Sequence, residues 1–140
     1  MTLTKTWWAV KIRLTLAVFY TVLITISFVL PSDNIPEVTL SLWELSLPYT
    51  DKIAHLIVHV FLLVFWLFYL DIRVKPQLKA THFFWVFVVV LVYGIVIEVI
   101  QNELLPSRQA DFFDVLANLI GCVFGIILFV SFKKVSQRSR

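Results

Sequence analysis

Four long apolar runs limit what this chain can fold into more than any other feature. They are Leu14–Leu30, Ile53–Leu70, Phe83–Ile100 and Val115–Phe132, each 17 or 18 residues long. About 20 apolar residues cross the roughly 30 Å hydrocarbon core of a bilayer as a helix. The runs are uniformly apolar and lack the alternation of a transmembrane strand, so they are read as helices. The third and fourth extend into polar flanks, which places helices at about 14–30, 53–70, 83–103 and 112–132. The expected fold is an all-α membrane protein, four transmembrane helices in one compact bundle over residues 1–140.

Composition agrees. Of 140 residues, 60% are hydrophobic and 15% charged, against about 25% charged in a soluble domain. Mean hydropathy is +0.91, more apolar side chain than one small core can hide. The net charge of +3 does not point to nucleic acid, because the charges sit between the apolar runs and form no basic stripe. Cys122 is the single cysteine and lies within the fourth run. An intrachain disulfide or a paired-thiolate metal site is therefore excluded.

Lysine and arginine set the expected orientation. Lys5, Lys11 and Arg13 precede the first run, Arg73, Lys75 and Lys79 link the second to the third, and Lys133, Lys134, Arg138 and Arg140 follow the fourth. That puts ten of twelve on one side, leaving Lys52 and Arg108 on the other. By the positive-inside rule both termini and the middle link are expected to face the cytoplasm. Trp7, Trp8, Trp66, Tyr69 and Trp85 fit the inner interface, and Trp43 and Tyr49 the outer one. Ser27-Phe28-Val29-Leu30-Pro31 offers no small-x-small cleavage pattern, so the first run is read as an uncleaved helix. Pro31–Thr50 forms the long outer loop, with a short interfacial segment or an ordered loop as its two readings.

The residues that break the apolar pattern gather at the outer end. Asp51, His55 and His59, spaced by four, share one face of the second helix. The third ends with Glu98, Gln101 and Asn102 before Pro106-Ser107-Arg108. The fourth carries Asp111, Asp114, Asn118, Gly121 and Gly125 as a stripe. At 1.5 Å rise per residue, three helices place polar groups at similar depth. Ionisable groups inside a membrane cost about 2.5–3.5 kcal/mol each on insertion scales and usually line a protein interior or wet cavity. Asp51, Lys52, His55, Glu98, Gln101, Arg108, Asp111, Asp114 and Asn118 are therefore candidate ligand-binding residues.

Plainer readings stand beside this one. Asp111 or Asp114 can serve as a helix cap, Lys52 can snorkel to head groups, and Asn118 can bond a neighbouring helix. His59 alone reads as a satisfied core residue, and Cys122 as packing. Ala117, Gly121 and Gly125 read as a close-packing face. Glu98 is the hardest to reduce to structure, since a carboxyl so deep must be protonated, paired or solvated.

In this order and spacing the residues resemble the VanZ-like family of small bacterial membrane proteins. The matching positions are Asp51-Lys52-Ile53-Ala54-His55, Tyr93-Gly94, Glu98, Gln101, Pro106-Ser107-Arg108, Asp114 and Ala117-Asn118 leading to Gly121 and Gly125. They span about Asp51 to Phe129. His59 departs from the pattern, which commonly has an aromatic there. The resemblance implies association with glycopeptide resistance, particularly to teicoplanin, and supplies no reaction.

Three functions compete. The leading one is non-enzymatic binding of a lipid-linked or other polar envelope ligand, or one related to glycopeptides, with Lys52 and Arg108 on phosphate or carboxylate. The second is an enzyme using Glu98, His55, Asp111 and Asp114 as acid, base or divalent-metal ligands. The third is a scaffold whose polar layer glues helices together. No HExxH or glycine-rich phosphate loop occurs, catalytic residues stay unassigned, and no cofactor, resident metal or nucleic acid is expected. Membrane lipids are the expected partners.

Overall fold

In a bilayer the backbone must satisfy its own polar groups, and this chain does so with helices. The computed structural model describes residues 3–29, 50–74, 77–104 and 111–138. Four helices fill these segments: α1 (Leu3–Val29), α2 (Thr50–Arg73), α3 (Ala80–Leu104) and α4 (Phe112–Arg138). All four are long and apolar enough to cross a membrane. The long loop from Pro31 to Tyr49 and the Pro106-Ser107-Arg108 turn lie outside the described residues.

The helices outrun the apolar runs, most of all at their basic ends. At 27 residues, α1 and α4 are about 40 Å long at 1.5 Å per residue, longer than the hydrocarbon core. Nothing in a change from apolar to basic side chains stops a helix, and lysine and arginine favour a helix C-terminus. The start of α3 is set by a side chain. His82 Nδ1 accepts the Lys79 backbone N–H at 2.9 Å while the His82 N–H bonds the Lys79 carbonyl at 2.9 Å. The His82 side chain thus supplies one half of a capping box, the bond back to the N-cap N–H, and the helix starts three residues ahead of Phe83. Inside α1, Thr21, Thr25 and Ser27 return their hydroxyls to the carbonyls four residues back, at 2.7–2.9 Å. Such hydroxyls cost little in lipid because no donor is left open.

α2 is the hub and packs against each of the other three helices, most extensively α4. The α2–α4 seam is close because α4 presents small residues there. A Cβ on Gly121 would meet the Leu56 carbonyl and lie 3.0 Å from His59 Cβ. On Gly125 it would lie 2.9 Å from the Val60 carbonyl oxygen and 3.1 Å from Leu63 Cδ2. Below the seam, Ile24, Leu62, Leu63, Leu67, Val90, Cys122 and Phe129 form the apolar core. Outward-facing apolar residues such as Phe19, Val89, Phe124 and Ile127 are more than half exposed, as lipid-facing positions are.

The two ends of the bundle differ in chemistry. At one end Asp71 of α2 meets Lys133 of α4 at 2.8 Å and Arg13 of α1 at 3.9 Å. The N-terminal half of α1 therefore shares an end with the C-termini of α2 and α4, so neighbours run up and down in turn. The other end holds Asp51, Glu98, Asp111 and Asp114 with the amides of Gln101 and Asn118.

Candidate functional site

The polar end is built by all four helices around two rings of α2. His55 and His59 stand one turn apart on the α2 face that meets α3 and α4, and both are almost wholly buried, at 1% and 2% exposure. Glu98 and Gln101 of α3 and Asp114 and Asn118 of α4 are buried with them. Asp51 lies at the rim.

His55 is the junction. Its Nδ1 lies 3.2 Å from Asn118 Oδ1 and 3.3 Å from Glu98 Oε1, so one nitrogen faces oxygen atoms from two other helices. Asn118 Oδ1 only accepts, so Nδ1 donates to it, while Glu98 Oε1 stands at ion-pair distance from the same nitrogen. Nε2 points the other way, 3.8 Å from Asp51 Oδ1. The ring is held flat by Phe28 of α1, stacked at 4.6 Å between centroids with 22° between planes. The Phe28 carbonyl in turn accepts a hydrogen bond from Gln101 Nε2 at 2.9 Å. Nearer mid-bundle, Tyr93 of α3 and Thr25 of α1 share a hydrogen bond of 2.8 Å between hydroxyls.

His59 hangs below. Its Nδ1 is 2.9 Å from the His55 carbonyl. A carbonyl only accepts, so Nδ1 donates, and the neutral ring leaves a lone pair on Nε2. That Nε2, and Nδ2 of Asn118, have no hydrogen-bond partner among the described residues. Both press on α3 at Gly94, where a Cβ would lie 2.5 Å from Nε2 and 2.8 Å from Nδ2. Glycine is what leaves room for both atoms beside α3.

Lys52 takes a different position from the one expected of an anion ligand. Its Nζ donates to Asp111 Oδ2 at 2.5 Å and to Asp114 Oδ1 at 3.3 Å, so two carboxylates already surround its charge. Asp111 also caps α4, accepting the Phe113 N–H at 2.9 Å. The Lys52 hydrogen bond, helped by that backbone N–H, holds the Asp111 carboxyl below its ordinary value. Five carboxylates among the described residues, Asp51, Glu98, Glu103, Asp111 and Asp114, share this end with Lys52, and the end is acid-rich. One atom each from Asp51, His55 and Asp114 lie within 4.8 Å of one another. Carboxylate oxygen with imidazole nitrogen suits a divalent cation, with Lys52 its competitor for Asp114.

Eight of the nine expected ligand-binding residues are thus described, and seven form one connected set from Asp51 to Asn118. Gln101 turns away from it to brace α1. Arg108 lies outside the described residues. Phe28 is the residue that sequence reasoning missed. It sits in an unbroken apolar run with no polar neighbour to mark it as part of the site. Gly94 stood out only through its motif, since nothing in the sequence says which helix approaches it.

The fold and its lipid-facing surface define a multi-pass integral membrane protein. Comparison with family models, with curated proteins and with solved structures finds no match.

Proposed function

We propose that this chain is a VanZ-like protein of the bacterial cytoplasmic membrane. Both termini lie in the cytoplasm, and the polar layer at the outer face binds the polar group of a lipid-linked or other cell-envelope ligand. The observation that carries this reading is the pair of buried, unpartnered atoms, His59 Nε2 and Asn118 Nδ2, beside a charged layer. A layer serving only to hold helices together would satisfy itself, because an unmade hydrogen bond on a buried group costs about 1–3 kcal/mol. Here an acceptor and a donor are left for a third party. Glu98 supports the reading further, since a neutral amide would glue helices at lower insertion cost.

The acid-rich character of the layer shapes the ligand. With Lys52 held by Asp111 and Asp114, the described residues favour hydroxyl, amide or amine groups over a bare anion. Amino sugars and peptide amines of envelope precursors offer such groups. The association with teicoplanin resistance, drawn from the resemblance, places the phenotype in the same setting.

The runner-up is a membrane enzyme, favoured by the approach of Asp51, His55 and Asp114. One experiment separates binding or chemistry from scaffold. Glu98→Gln keeps the shape of the side chain and is expected to express and fold, yet fail to restore glycopeptide tolerance to a deletion strain. Full complementation by Glu98→Gln would overturn the site and put the scaffold ahead.

A further inference from the structure

A second polar region, at the opposite end of the bundle, plays no part in the layer around His55. A cavity of about 410 Å³ opens there between the N-terminal half of α1, the end of α2, the start of α3 and the end of α4. Its volume falls in the range of small-ligand sites, about 300–1,000 Å³. Arg13, Asp71, Lys133 and Lys134 line its polar side, and Leu78, Phe83 and Phe129 its apolar side.

Charge is out of balance in this cavity. Asp71 lies 2.8 Å from Lys133 and 3.9 Å from Arg13, so a single carboxylate stands between two cations. Arg13 also donates to the Phe68 carbonyl at 2.9 Å, which fixes the guanidinium at the mouth. Lys134 makes no ion pair or hydrogen bond among the described residues and is exposed. Three cations and one carboxylate leave a net charge of about +2 on this lining. The apolar wall beside them descends along α4 into the membrane-spanning part. A ligand that fills both halves carries an anion at one end and a hydrocarbon chain at the other.

We infer that this cavity is a binding site for an anionic phospholipid, its phosphate held by Arg13, Lys133 and Lys134 and an acyl chain laid against Phe83 and Phe129. Basic cavities between transmembrane helices are a recognised head-group site. Under the expected orientation this end faces the cytoplasmic leaflet, whose surface is negative. The site is separate from the polar layer and does not depend on what that layer binds.

The test uses the full chain purified in neutral detergent, with retained lipid counted by native mass spectrometry. Phosphatidylglycerol, phosphatidylcholine and inorganic phosphate are compared. Phosphatidylglycerol is expected to bind most tightly, to be only weakly displaced by millimolar inorganic phosphate, and to loosen as salt rises. Lys134→Gln, which breaks no contact of the fold, is expected to weaken phosphatidylglycerol about fivefold, the factor equivalent to about 1 kcal/mol per basic residue near an anionic surface. Arg13→Gln is expected to weaken it at least as much. The helical circular-dichroism signal serves as the check on folding, and if Arg13→Gln loses it, Lys134→Gln decides alone. Equal retention of phosphatidylcholine, or unchanged binding by a folded Lys134→Gln, overturns the site. Full displacement by inorganic phosphate overturns the lipid as its occupant.

Discussion

Gly94 shows how much one missing methyl group controls at the residue scale. In an exposed helix interior, alanine is favoured over glycine by about 1 kcal/mol. At this position the sign reverses, because the added Cβ would fall 2.5 Å from His59 Nε2 and 2.8 Å from Asn118 Nδ2. Neither ring nor amide can withdraw easily. His59 is tied to the His55 carbonyl and Asn118 to His55 Nδ1. Gly94→Ala is therefore expected to lower stability by about 1–3 kcal/mol, the usual range for overpacking, seen as a lower Tm in detergent. A Tm equal to or above the parent's would mean that α3 can slide off the seam without loss. The same two tethers explain why the unpartnered atoms stay presented rather than turning to find each other.

At the scale of elements, the α2–α4 seam decides whether the bundle closes. Gly121→Leu would drive a branched side chain into the backbone of α2 at Leu56, where no rotamer relieves the clash. Loss of the folded, monodisperse species on size-exclusion chromatography is the expected result, and normal thermal stability would place that face toward lipid. Much of this architecture was legible in the sequence. Against an apolar background every polar residue is conspicuous, and spacings of three and four translate directly into a face. The polar layer from Asp51 to Asn118 could be assembled on paper for that reason. What could not be read was pairing. Lys52 was free to hold an anion until the approach of α4 supplied Asp111 and Asp114. The part α1 plays was equally hidden, because Phe28 acts through ring stacking and a backbone carbonyl, neither of which leaves a mark in composition. Helix ends were blurred too, since hydropathy reports the hydrocarbon boundary while the capping of α3 by His82 and the basic extension of α4 lie beyond it.

For the whole molecule, the contrast between the two ends makes orientation testable. With the basic residues on the cytoplasmic side, a cysteine placed in the 77–79 link of a Cys122→Ala background should resist an impermeant thiol reagent in intact cells. A cysteine at Asp111, at the other end, should react. The reverse pattern would carry the polar layer to the cytoplasm and with it the proposed ligand. Either way the hub position of α2 has a consequence in time. Asp111 is separated from Lys52 by 59 residues, and Glu98 and Asn118 also follow His55 in the chain. Ribosomes add about 5–20 residues per second, so the Lys52 ammonium enters the bilayer on the order of 3–12 seconds before Asp111 exists, and the His55 imidazole likewise precedes Glu98 and Asn118. During that interval the first hairpin carries a polar face that only the later helices cover.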